Sequence, residues 1–190
     1  MGRKKTFRKV SNHCSIVNRP RMHTSLSVSA LFISSVLSAQ SYGLEELTDD
    51  HERHIAPASI QRFVRSTFRK DFRECITDLG ADLEDAEHYF GSIQVNLSTR
   101  SLPCFAVFPS KYCQAFYGAH AIAYWLITEF KPGRYRLLYE GRSDGFKLRS
   151  SSSNGFFDFE SGYGKTYTVL RFNGKRYRRI SNGEYPADSP

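Results

Sequence analysis

Turn signals crowd the second half of this chain and decide most of what it can fold into. Lys131-Pro-Gly133, Arg142-Ser-Asp-Gly145, Asn154-Gly155, Gly162-Tyr-Gly164 and Asn173-Gly174 cut it into short apolar and aromatic stretches. Asn-Gly and Asp-Gly tolerate positive φ at the centre of a two-residue turn, so they join neighbouring antiparallel strands. The stretches predict strands over 92–97, 104–108, 121–130, 134–139, 145–149, 156–160, 167–172 and 175–180. Short strands in series read as an antiparallel meander. The aromatic content agrees, because 15 Phe and 11 Tyr supply rings that fill a half-buried pleated surface.

Ahead of the strands, the apolar period changes. Ile60, Phe63, Val64, Phe68, Phe72, Cys75, Ile76 and Leu79 recur at three- and four-residue steps, with Arg62, Arg65, Arg69, Lys70 and Arg73 between them. That pattern predicts one amphipathic helix. Pro57 suits its first turn, where a missing N–H costs nothing, and Gly80 suits its stop. The expected fold is therefore α+β, an N-terminal amphipathic helix packed on an antiparallel β-meander. The single domain spans 57–180. Residues 42–56 read as a flexible mature N-terminus and 181–190 as a flexible tail.

Residues 1–41 carry seven cations and no acid, and they run into Ser25-Leu-Ser-Val-Ser-Ala-Leu-Phe-Ile-Ser-Ser-Val-Leu-Ser-Ala39. The apolar part is too short and too serine-rich for a membrane span, which needs about 20 mainly apolar residues. Basic lead, apolar core and small residues in that order read as a secretory signal peptide over 1–41. Cleavage is expected after Ser41, with Gly43 as a second option, and translation starts at Met1 or at Met22. The formal charge of +8 then belongs mostly to the leader, since residues 42–190 hold 20 basic and 19 acidic groups. A near-neutral mature chain argues against nucleic acid as a partner. The charge is still divided: residues 42–90 carry six basic and twelve acidic groups, and residues 91–190 fourteen and seven.

Export into an oxidising compartment, periplasmic or secreted, makes disulfides available. Cys104 and Cys113 lie nine apart and are expected to staple the loop between them, while Cys75 reads as a buried thiol on the apolar helix face. No cysteine or histidine spacing fits zinc, and no metal or cofactor is expected.

Tyr135-Arg-Leu-Leu138, Ser153-Asn-Gly-Phe-Phe-Asp-Phe159 and Arg171-Phe-Asn-Gly-Lys-Arg-Tyr177 together resemble small periplasmic proteins of Gram-negative bacteria. Those proteins pair an N-terminal helix with a β-meander, and some are immunity or inhibitor proteins that block toxic cell-wall enzymes. The resemblance covers about residues 57–180. It implies a protein partner, a toxin or cell-wall hydrolase, held by occlusion. Two departures stand out. Asn96-Leu-Ser-Thr-Arg-Ser101 lacks the carboxylates of the family's acidic loop, which removes calcium from consideration. Gly118-Ala-His-Ala-Ile-Ala-Tyr-Trp125 lacks the second cysteine.

Catalytic chemistry finds little footing. No Gly-x-Ser-x-Gly elbow occurs. A thiol–imidazole pair from Cys113 and His120 competes with the disulfide reading, and Asp158 and Glu160 share one strand face without a fixed partner. No catalytic residue is therefore assigned, and an envelope enzyme built on the Cys113/His120 region is the alternative, beside an envelope structural or ligand-binding module. The leading expectation is a binding protein. Its contacts would come from Tyr112, Phe116, Tyr117, His120 and Tyr163, aromatic and polar side chains in loops near glycine or cysteine.

Overall fold

The computed structural model describes residues 40–44, 54–78, 89–109, 115–118 and 121–186. Along the chain run β1 (Ser41–Gly43), α1 (Ala58–Thr67), α2 (Arg69–Asp78), β2 (Phe90–Gln94), β3 (Cys104–Pro109), β4 (Ile122–Lys131), β5 (Arg134–Ser143), β6 (Gly145–Ser153), β7 (Phe156–Tyr163), β8 (Thr166–Phe172) and β9 (Tyr177–Glu184). The strands form two antiparallel sheets, one ordered β2-β3-β4-β5 and the other β1-β6-β7-β8-β9.

This corrects the expected helix on a single meander. The described residues are mainly β, in two sheets, and the expected long helix is two ten-residue helices. The sheets separate where β5 runs through Ser143, Asp144 and Gly145 into β6: β5 pairs with β4, whereas β6 pairs with β7 and β1. The helix breaks at Phe68, whose φ of −111° and ψ of 40° leave the α region. Ser66 Oγ and Thr67 Oγ1 both donate to the Phe63 carbonyl, at 2.9 and 2.8 Å. Such side-chain bonds compete with the helical ladder and bend helices. The break turns the Phe68 ring onto Trp125, with centroids 5.0 Å apart.

β4 shows why two layers are needed. Tyr124 and Leu126 point into a cluster with Leu138, Phe146, Leu148, Phe159 and Leu170, between the sheets. Ala123, Trp125 and Ile127 point the other way, into a cluster with Ile60, Val64, Phe72, Phe90 and Val107. Side chains alternate along a strand, so this strand is buried on both faces. Gln61 fixes α1 to the edge strand β2: its Nε2 donates to the Phe90 carbonyl at 2.9 Å and its Oε1 accepts from the Phe90 N–H at 3.2 Å. An edge capped in this way offers fewer free backbone groups to other chains.

Both ends of the expected domain are more ordered than the sequence suggests. Tyr42 stacks on Phe146 at 4.8 Å and Leu44 is fully buried, so 42–56 is tied down at Tyr42–Leu44 and again where Ile55 pairs with Gly91. Gly145 makes room for β1, since a Cβ there would lie 2.6 Å from the Tyr42 carbonyl oxygen. The 181–190 tail is likewise corrected: Ser181 to Glu184 belong to β9, and Tyr185 packs on Tyr167 at 4.8 Å. The expected leader lies outside the described residues, apart from Gln40 and Ser41.

Candidate binding surface

The expected contact residues separate sharply. Tyr163 ends β7 and is 48% exposed. Its turn is anchored, because the Gly164 N–H donates to Asp144 Oδ2 at 2.8 Å and Thr166 Oγ1 donates to the Tyr163 carbonyl at 3.2 Å. An exposed aromatic on a fixed turn is a preorganised anchor. Phe116, in contrast, is 2% exposed and packs edge-on against Trp125 at 5.2 Å. It is a core residue, buried away from any contact surface. Tyr117 is half-buried and its hydroxyl donates to the Pro109 carbonyl at 3.0 Å. Tyr112 and His120 lie outside the described residues.

The cysteines also depart from expectation. Cys104 is a free, buried thiol, and its Sγ donates to the Leu102 carbonyl at 3.4 Å. Burial pushes its pKa up, while Thr128 pulls it down. The expected Cys104–Cys113 staple is therefore not formed. Cys104 instead opens β3 with its side chain facing the inter-sheet core. Cys75 is disulfide-bonded rather than a lone thiol.

The carboxylates considered for catalysis have structural partners. Asp158 is 1% exposed; it accepts from Ser151 Oγ at 2.8 Å and from Arg171 Nε and Nη2 at 3.1 and 2.9 Å. Such two-point pairing satisfies a buried carboxylate. Glu160 lies 3.4 Å from Arg149. No group of three or more His, Cys, Asp or Glu side chains is placed to hold a metal ion among the described residues.

What the sequence did not single out is the outer edge of the five-stranded sheet. Among the described residues β9 pairs with β8 alone, and Tyr177 is the one buried side chain in its first half: Arg178, Arg179, Ile180, Ser181 and Asn182 are all exposed. Lys175 and Arg176 precede it in a turn where both N–H groups donate to Asn173 Oδ1 at 3.0 Å. Arg176, Arg178 and Arg179 also line a cleft of about 410 Å³ with Leu137, Tyr139 and Thr168, between the terminal strands β5 and β9. One signal was available in the sequence. Two consecutive arginines in a strand place a cation on each face, which a half-buried strand does not accept.

No family model matches the chain, and neither a curated protein nor a solved structure matches it.

Proposed function

We propose that this is an exported binding protein, periplasmic or secreted, that occludes a toxic or cell-wall-degrading enzyme in the manner of an immunity or inhibitor protein. The observation that carries the reading is the edge strand β9 with its exposed arginines, together with the fixed, exposed Tyr163 at the end of β7. Arginine and tyrosine are the side chains enriched at binding hot spots. The free backbone edge adds hydrogen-bonding groups, and the cationic surface suits an acidic partner face. The leader-like sequence of 1–41 and the resemblance to periplasmic inhibitors supply the compartment and the class of partner.

The test is titration of the purified protein against cell-wall hydrolases of its own envelope. The expected result is a stoichiometric complex with loss of hydrolase activity. Tyr163→Ala and the pair Arg178→Glu and Arg179→Glu should each weaken it by roughly 30- to 1,000-fold, the range for hot-spot losses of about 2–4 kcal/mol. Unchanged circular dichroism is the control. The reading fails if no hydrolase is inhibited at micromolar protein, or if the protein itself turns over a cell-wall substrate.

A further inference from the structure

Two bonds frame the ladder between β8 and β9. The Asn173 N–H donates to the Arg176 carbonyl at 3.1 Å, and the Tyr185 N–H donates to the Lys165 carbonyl at 2.8 Å. Backbone groups alternate in direction along an antiparallel pair. Phe172 lies opposite Tyr177, Arg171 opposite Arg178 and Leu170 opposite Arg179. Arg178 therefore turns its N–H and C=O toward β8, whereas Tyr177 and Arg179 turn theirs away. The same count from Tyr185 turns Asn182 and Glu184 away. Among the described residues no hydrogen bond answers these outward groups. Unpaired strand groups are a template for one more strand.

Ile180 divides this edge. Val169 pairs with Ser181 and Leu170 with Arg179, so Ile180 is the extra residue between them, and it is 48% exposed. A bulge of this kind bends a strand and spoils flat pairing with a second copy. Residues 177–179 remain as a short ladder beside the cleft of about 410 Å³ between β9 and β5. Leu137 and Tyr139, both half-buried, form its far wall. Glu140 is the one carboxylate among the described lining residues, against Arg176, Arg178 and Arg179. None of these arginines makes an ion pair among the described residues.

We propose that β9 receives an extended, acidic segment of the partner as an added strand, an inference that rests on the protein-binding reading above. The segment's backbone pairs with the outward groups of Tyr177 and Arg179. Side chains alternate along a strand, so one row carries the acids that meet the arginines. The other row is apolar and enters the cleft against Leu137 and Tyr139. A polyanion without a peptide backbone answers the arginines but offers acceptors only, and leaves the outward carbonyls unmet. Main-chain bonds supply affinity in such strand addition, and the alternate side chains supply specificity.

The experiment uses the isolated ¹⁵N-labelled protein. The probes are a blocked peptide of alternating Glu and Val, the same peptide N-methylated throughout, its Lys-for-Glu counterpart, and dextran sulfate. The acidic peptide should bind saturably. At about ten times its Kd it should slow hydrogen exchange of the Tyr177 and Arg179 amides about tenfold, and leave the Arg178 amide, already bonded to β8, unchanged. The N-methylated and Lys peptides should not bind. Arg178→Glu combined with Arg179→Glu should weaken the acidic peptide by about tenfold or more with unchanged circular dichroism, the loss expected for charge-assisted contacts. No saturable binding at about 1 mM acidic peptide overturns the proposal. Equal binding of the N-methylated peptide also overturns it, because charge alone then suffices. Dextran sulfate bound more tightly than the peptide overturns it in favour of a polyanion site. No hydrolase enters this titration, so its failure leaves the inhibition reading to its own test. A hydrolase complex that forms without slowing those two amides overturns strand addition alone.

Discussion

The division of the core by β4 makes a quantitative demand on two adjacent residues. Leu126 and Ile127 are both fully buried, the first between the sheets and the second under the helices. Truncating a buried Leu or Ile to Ala loses transfer energy and leaves a cavity, at a cost of about 2–5 kcal/mol. Leu126→Ala and Ile127→Ala should therefore each cost that much, despite pointing in opposite directions. In a single sheet covered on one face, one of the two would face water and cost no more than about 0.5 kcal/mol. The assay is urea unfolding followed by tryptophan fluorescence and far-ultraviolet circular dichroism, with the slope checked for constancy. For a chain of this size about 1 kcal/mol moves Tm by roughly 2–4 °C, so each variant should melt about 4–20 °C lower. A cost below about 0.5 kcal/mol for either substitution refutes the two-layer account.

Further outcomes follow from other parts of the molecule. Gly145→Ala should loosen β1, because its Cβ meets the Tyr42 carbonyl oxygen, and limited proteolysis should then release the residues up to Leu44 faster than in the wild type. Alkylation mapping should label Cys104 only after unfolding, since the thiol is buried with a raised pKa; its recovery in a linked peptide with Cys113 would contradict the free thiol. Intact mass of exported protein should show a chain that begins no later than Tyr42, because cleavage after Gly43 strips away the ring stacked on Phe146. Glu140 has a folded pKa raised above its ordinary 4.5, so the folded state holds the proton more tightly than the unfolded state. Its contribution is present below that ordinary value and is lost as pH rises through the folded pKa. Glu140→Gln should accordingly raise Tm at pH 8 relative to Tm at pH 4, compared with the wild type, and an unchanged relation would show that the carboxyl is not buried as described.

The strands were legible because their signals are local. All eight expected strands occur, and Asn154-Gly155 makes its hairpin with φ of 50° and 86° at the two central residues. Their allocation to two sheets was not legible by the same means. β5 reaches Ser143 and β6 begins at Gly145, so the chain changes sheets across one residue that also reads as an ordinary turn. β1 was hidden for another reason, since its three residues adjoin a leader-like segment and are too few to show a period. A further clue went unused. Ile122-Ala-Tyr-Trp-Leu-Ile127 is continuously apolar, and a strand without polar alternation is a strand covered on both faces. That run already required a second layer over the sheet.

The site was less legible than the fold, and the reason is physical. Sequence proximity to glycine or cysteine selected Tyr163 and Phe116 alike, yet one is exposed and the other sits in a ring cluster. The difference depends on Phe116 turning in against Tyr89 and Phe90, more than 20 positions earlier, a contact that no local pattern encodes. A cleft on the helix side is a more extreme case, since Asp71 and Glu140 are 69 positions apart and both line it only because α2 packs on the outer face of the four-stranded sheet. The β9 edge lies at the opposite limit. Arg178 and Arg179 announce an uncovered strand by their adjacency alone, because each would otherwise bury a charge on one face. An edge that is both cationic and uncovered is protected from self-association by charge repulsion and remains open to an acidic partner. The same two residues therefore disfavour edge-to-edge pairing with a second copy and suit a partner face of opposite sign.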